Sequence, residues 1–277
     1  MLNVHDHSRD SAGMKYVYPV ISRRAGGVSV GINLNTNNAC NWACIYCQVP
    51  NLKRGAPPEI DLQTLEAELR QFLHATTSDD YLEKNVPPES RRLIDVAFSG
   101  NGEPTSAQEF PEAVEIAGKV MSDLGLGASV KLRLITNGSQ MHRRRVRQGI
   151  ARIGMMGGEV WFKIDRGTEA GISAVNGVRL TQDKIRRAAL QCASLAPTWI
   201  QSCFFAIDGE PIAEQEFIAY LELLSSVSRD IKGVHLYGLA RPSQQPEAKR
   251  LSALSAESLS FFARRIAMLG LDVVVNP

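Results

Sequence analysis

About six alternations of a short β pattern with an amphipathic helical pattern constrain this chain of 277 residues more than any other feature. Sequential strand–helix units bury both faces of a parallel sheet under helices. Val28 to Leu34 alternates apolar with small or polar residues and reads as the first strand. Asp61 is placed to cap a helix in which Leu62, Leu65, Leu69, Phe72 and Leu73 recur at helical spacing. Further strands are predicted at 93–98, 129–135, 160–164, 200–207 and 233–239, with a final short one at 271–275. Helices are predicted at 110–126, 140–153, 181–195, 212–228 and 256–269, the last capped by Ser255. Residues 76–92, polar and carrying Asp79, Asp80, Pro87 and Pro88, read as an exposed connection, and residues 1–25 as a lead-in without clear periodicity.

The fold expected is an α/β, TIM-like partial (β/α)6 barrel with a parallel sheet and outer helices. It forms one domain over 1–277, with a core over about 28–240 and a C-terminal extension over 241–277. In such folds the loops leaving the C-terminal strand ends carry the chemistry.

A hydrophobic fraction of 44% supplies a sizeable core, and a formal charge of +2 neither requires nor excludes an acidic partner. The polar segment from Met1 to Lys15, with His5, Asp6, His7, Arg9 and Asp10, lacks the apolar stretch of a secretory signal. No run approaches the roughly 18 apolar residues of a membrane span. A cytoplasmic protein is expected, where clustered cysteines bind metal or do redox work more often than they form disulfides.

Such a cluster follows the first predicted strand. Cys40, Cys44 and Cys47 are three of the five cysteines and form a CxxxCxxC motif. A structural zinc ion needs four ligands, yet no second CxxC or nearby His follows, and Cys192 and Cys203 lie far off. A cubane iron–sulfur cluster held by three thiolates keeps one iron open to a chelating small molecule.

The motif, with Tyr46 just before its last cysteine and its place after the first strand of a β/α series, resembles the radical S-adenosylmethionine (radical SAM) superfamily. The resemblance implies that Cys40, Cys44 and Cys47 ligate a [4Fe–4S] cluster, with S-adenosylmethionine (SAM) on the fourth iron, and that an electron donor such as flavodoxin or ferredoxin feeds it. It further implies that Tyr46 lies against the adenine. Gly100, Asn101, Gly102, Glu103 and Pro104 resemble the family's glycine-rich loop, whose backbone and acid receive the SAM amino group. Thr136 and Asn137 would stand near the SAM carboxylate or ribose, as would Lys163 and Asp165, and Leu239 near the adenine. Arg241 would hold an acidic substrate group or pair at the surface. Ser-Gly-Asn-Gly-Glu-Pro-Thr and Ala-Arg-Pro look closest to a compact group of iron–sulfur oxidoreductases akin to the tRNA wyosine synthases, which makes a tRNA base the expected substrate and a small metabolite or peptide the alternative. Archaeal wyosine synthases bring extra N-terminal cysteines, and this chain has none before Cys40.

The run His142-Arg143-Arg144-Arg145-Val146-Arg147, with Arg186-Arg187 and Arg264-Arg265, could follow an RNA backbone or form solvated helix faces. Cys203 could point into the barrel, and Asp208 at the end of the fifth predicted strand is a substrate-side candidate by position. His235 reads as a core histidine. An electron carrier using the cluster without SAM and a zinc-binding interaction module are the rivals from other classes.

Overall fold

The computed structural model describes residues 12–22, 26–78 and 80–277. Eight strands form one curled sheet in the order β1 (Val17–Ser22), β2 (Gly27–Ile32), β3 (Leu93–Phe98), β4 (Lys131–Thr136), β5 (Glu159–Lys163), β6 (Thr198–Cys203), β7 (Gly233–Tyr237) and β8 (Asp272–Asn276). β1 runs antiparallel to β2, and every later neighbour pair is parallel, which gives the half-barrel expected of a β/α series.

Helices cover the outer face because each turns one apolar stripe inward. These are α1 (Leu62–Ser78), α2 (Phe110–Asp123), α3 (Arg144–Met155), α4 (Glu169–Asn176), α5 (Gln182–Ala193), α6 (Glu214–Ser225) and α7 (Ala256–Ala267). Leu65 and Leu69 of α1, Phe110 and Val114 of α2, Ile150 of α3, Phe217 of α6 and Leu259 of α7 are fully buried in one core. Each such side chain is worth about 1.5–3 kcal/mol of transfer free energy. The expected caps form: Asp61 accepts from the backbone N–H of Thr64, and Ser255 from that of Ser258.

Several elements differ from expectation for identifiable reasons. The strand at Val28–Leu34 is the second of the sheet, because β1 precedes it within the supposed lead-in; residues 1–11 and 23–25 of that lead-in, including His5 to Asp10, lie outside the described residues. β1 shows no alternation because Val17 to Ile21 are buried throughout, and Pro19 is tolerated on an edge strand, where one row of backbone groups goes unpaired. The connection at 76–92 is partly helical: α1 continues to Ser78, a short turn spans Tyr81–Asn85, and Tyr81 packs edge-on against Phe72 at 5.2 Å. Asp79 lies outside the described residues. The strand predicted over 200–207 breaks at Phe204, after which Phe205–Ile207 peels away to pair antiparallel with Leu251–Ala253. α4 has no counterpart among the predicted helices. Among the described residues no helix is long and apolar enough to cross a membrane.

Candidate functional site

The loop leaving β2 is shaped by asparagines. Asn33 Oδ1 accepts from the backbone N–H of Asn35 and of Asn101, and Asn35 Nδ2 donates to the Ala39 carbonyl at 2.8 Å. Ala39–Cys40 then pairs with Lys53–Arg54, closing a loop that presents the cysteines. Its far side is stitched to α4, since the N–H groups of Ala43 and Ile45 donate to the carbonyls of Asn176 and Val175. Ser243 Oγ donates to the Ile45 carbonyl at 2.7 Å, and Gln245 Nε2 to that of Val49 at 2.9 Å, so the C-terminal segment holds the loop from above.

Cys40, Cys44 and Cys47 are half-buried and line a single cavity of about 300 Å³ at the C-terminal ends of the parallel strands. Burial pushes the Cys40 thiol up to about 11, against the opposing N–H groups of Trp42 and Glu103, and the Cys44 thiol up to about 12. Asn176 Nδ2 donates to Cys44 Sγ at 3.3 Å. Among the described residues no group of three or more His, Cys, Asp or Glu side chains converges to hold one metal ion. Three thiols spread around one cavity, with no fourth ligand beside them, suit a multi-iron cluster in which each thiolate takes its own iron.

Glu103 follows the glycine loop after β3 and is buried, and it is held by four donors. Thr105 donates through its N–H and its hydroxyl, Thr136 through its hydroxyl at 2.6 Å, and Asn137 through its N–H at 2.7 Å. Burial nevertheless leaves its carboxyl above the usual range. Three of the four bonds fall on Oε1, so Oε2 retains acceptor capacity. Asn137 Nδ2 in turn donates to Asn41 Oδ1 at 3.0 Å, which ties the strand end of β4 to the cysteine loop.

Asp165, just past β5, forms a second hub. Oδ2 accepts from Tyr46 Oη at 2.5 Å and Asn176 Nδ2 at 2.8 Å, and Oδ1 accepts from the Cys203 N–H at 2.9 Å. Lys163 Nζ lies 3.9 Å from Asp165 Oδ1 and donates to Tyr237 Oη at 3.1 Å. Burial works most strongly against the Lys163 charge, but Asp165, Tyr237, Cys44 and Cys203 together outweigh it and the lysine pKa rises. Burial, then Asp165, raises the Tyr46 phenol well above its ordinary value.

Of the residues singled out from sequence, Tyr46, Gly100, Gly102, Glu103, Asn137, Lys163, Cys203, Leu239 and Arg241 line the same cavity as the three cysteines. Asn101, Pro104, Thr136 and Asp165 do not line it; Thr136 and Asp165 brace lining residues, Thr136 by its bond to Glu103 and Asp165 by its bonds from Tyr46 and Cys203. Asp208 does not reach it. The chain leaves the barrel at Phe204, and Asp208 sits exposed in a turn with φ 54°, its carboxylate gripped by Arg250 at 2.6 Å. Three of the four arginines of the basic run have local partners: Arg143 donates to the Thr105 and Ser106 carbonyls, Arg145 to Glu112, and Arg147 to the Met141 and His142 carbonyls, while Arg144 is exposed.

Sequence reasoning missed Asn33, Asn35, Asn176 and Ser243. Only Asn176 carried a readable signal, because Thr168 at the N-cap and Gly177 at φ 65° frame α4 as a capped helix.

No family model matches the chain. A "GTPase Obg" of Brachyspira hyodysenteriae is 25% identical over 135 residues, 48% of this chain and 17% of that protein. A "UPF0026 protein" of Helicobacter pylori is 28% identical over 134 residues, 48% of this chain and 37% of its own length. The match thus spans well under half of either relative. Among solved structures, a radical SAM methyltransferase from Sphaerobacter thermophilus superposes with a TM-score of 0.59 at 14% identity, covering 94% of this chain and 68% of that one. A histidine-tagged anSMEcpe with bound AdoMet gives 0.54 at 17% identity, covering 88% and 63%. The half-barrel is therefore a fold shared with radical SAM enzymes.

Proposed function

We propose that the chain is a radical SAM enzyme. The observation that carries this reading is that the three thiols of CxxxCxxC and the Gly100–Glu103 loop open onto one cavity at the C-terminal ends of a parallel half-barrel. The donor set fits the implied group: three thiols without a fourth ligand match a [4Fe–4S] cluster with one open iron, and Gly102 lies so close to the Ala39 carbonyl and Asn35 that no side chain fits between the two loops.

Cys40, Cys44 and Cys47 would hold the cluster, and Gly100, Gly102, Glu103, Asn137 and Leu239 would contact SAM. Once bound, the pair would supply one-electron reductive cleavage of the SAM sulfonium and hydrogen abstraction from the substrate. The protein's part is positioning and exclusion of water. Trp42 and Tyr46, both buried, wall the cysteines from solvent, and the raised Tyr46 pKa keeps its phenol protonated as a donor to Asp165. Glu103 keeps Thr136 and Asn137 in register with the cysteine loop while leaving Oε2 able to accept from an ammonium. The electron would come from a flavodoxin- or ferredoxin-type donor.

For the substrate we favour a small metabolite or peptide over a tRNA base. Most of the arginines that suggested RNA are engaged locally: Arg143 and Arg147 by carbonyls, and Arg145, Arg186, Arg187 and Arg265 by carboxylates. Unaltered migration of labelled tRNA at low salt is the expected result. Retardation would restore the RNA reading.

Anaerobic reconstitution followed by dithionite and SAM should yield 5′-deoxyadenosine. No product from cluster-loaded protein beside an active control overturns the enzymatic reading, and stoichiometric zinc without sulfide in protein purified without oxygen replaces it with a zinc module.

A further inference from the structure

Gln201 faces the cavity from the middle of β6. It is 1% exposed, and its Nε2 makes no hydrogen bond to the protein. A buried amide donor is costly to leave unmatched, so one on a residue that lines a cavity marks a place for an acceptor. The sheet register defines its surroundings: Gln201 pairs with Lys163 on β5 and with His235 on β7. An ammonium and an amide N–H therefore stand side by side on the cavity wall.

Asp95 and Glu159 both meet Arg133. Asp165 lies 3.9 Å from Lys163 Nζ and is shared with Tyr46, Asn176 and the Cys203 N–H, so the lysine is not its sole partner. Two residues toward the N-terminal strand ends, Trp161 also lines the cavity, and Trp161 and Trp199 flank the His235 ring at 4.5 and 4.8 Å. From Gln201 the lining runs to the three cysteines in one direction and to Asp95 and Arg133 in the other.

We propose that Gln201, with Lys163 beside it, forms a carboxylate-binding subsite, and that the substrate is a small carboxylic acid. Its carboxylate accepts from Gln201 Nε2 and faces the Lys163 ammonium. A planar, singly charged acceptor matches a wall with one amide donor and one cation, whereas a phosphoryl group would bring three oxygens to the same two donors. Naming this acid the substrate rests on the proposed radical SAM function; the subsite itself does not.

The test is calorimetric titration of the full chain, purified without oxygen, with acetate, succinate, glutarate and benzoate and with the matched amides. At least one acid should bind ten-fold or more tightly than its amide. Gln201→Glu, which sets a like charge against the carboxylate, should erase that preference, and the nearly isosteric Gln201→Leu should weaken the acid at least five-fold, with thermal melts confirming that both variants fold. Acids that bind no better than amides, or a preference that survives Gln201→Glu, overturn the proposal. So does a Gln201→Glu variant that loses SAM affinity instead, since the residue would then belong to the cofactor pocket. Acid binding without any 5′-deoxyadenosine from the reconstituted wild type keeps the subsite and removes the enzymatic reading, so the two failures are told apart.

Discussion

Tyr46 donates its phenolic proton to Asp165 Oδ2 across 2.5 Å, joining the residue before the last cysteine of the loop to the residue just past β5. Because Asp165 also receives Asn176 and the Cys203 N–H, one carboxylate fixes the cysteine loop, α4 and β6 relative to each other.

A double-mutant cycle should expose that coupling. Tyr46→Phe removes one of several donors and should cost about 1 kcal/mol, whereas Asp165→Asn strips the charge opposite Lys163 and should cost about 3 kcal/mol. Together they should fall short of the sum by about 0.5–1 kcal/mol, up to the cost of the smaller single change. Denaturant midpoints of the four proteins measure it, and strict additivity would show that the hub does not act as a unit.

Asn176 gives a prediction in redox terms. Its Nδ2 donates to Cys44 Sγ, and an N–H directed at a ligating sulfur stabilises the more reduced, more negative cluster. Asn176→Leu should therefore move the midpoint of the reconstituted cluster to more negative potential, while Gln191→Leu on α5 leaves it in place. A redox titration followed by electron paramagnetic resonance reads the shift, and a positive movement contradicts the assigned hydrogen bond.

The reach of the sequence follows from the range of the interactions involved. Strands β4, β5 and β7, the caps at Asp61 and Ser255, and the gathering of the cysteines and Gly100–Glu103 at strand ends were legible because periodicity and local turn chemistry determine them. β1 was hidden because burial on both faces erases its alternation. The role of Asp165 as a hub was not legible because its donors come from residues 46, 176 and 203, a convergence that no local pattern encodes. Asp208 looked like a strand-end residue because nothing in Phe204-Phe205-Ala206-Ile207 announces that the chain leaves the barrel there.

Asp95 supplies a pH dependence away from the cysteines. It is 2% exposed, and burial outweighs the Arg133 guanidinium and the Ser29 hydroxyl, so its carboxyl sits above the usual range. A folded-state pKa above the unfolded one gives stability that is fully present below the unfolded value of about 3.9 and lost as pH rises through the folded value. Asp95→Asn has no such loss. The stability of wild type minus that of Asp95→Asn should thus fall as pH rises from about 4 toward neutrality. Urea unfolding across that window checks the sign, and a difference that grows with pH would mean that the Arg133 pairing dominates.

Gly102 gives the sharpest test of the junction between the two cofactor loops. A Cβ there would fall within van der Waals distance of the Ala39 carbonyl and 2.6 Å from Asn35 Nδ2. Neither neighbour can yield freely, since Asn35 is buried and donates to that same carbonyl, and Ala39 is joined to Cys40 in the short pairing with Lys53–Arg54. Relief must come from moving Cys40 or the Glu103 loop. Gly102→Ala should therefore cost about 1–3 kcal/mol, the usual range for overpacking, and should lower the iron and sulfide bound after reconstitution. Gly127→Ala is the matched control, because a Cβ at Gly127 meets nothing within 4 Å. It should change stability by less than about 0.5 kcal/mol and leave the iron content unchanged. If Gly102→Ala loads iron as fully as Gly127→Ala, the glycine loop does not brace the cysteine loop, and the shared cavity would owe its shape to Asp165 and α4 alone.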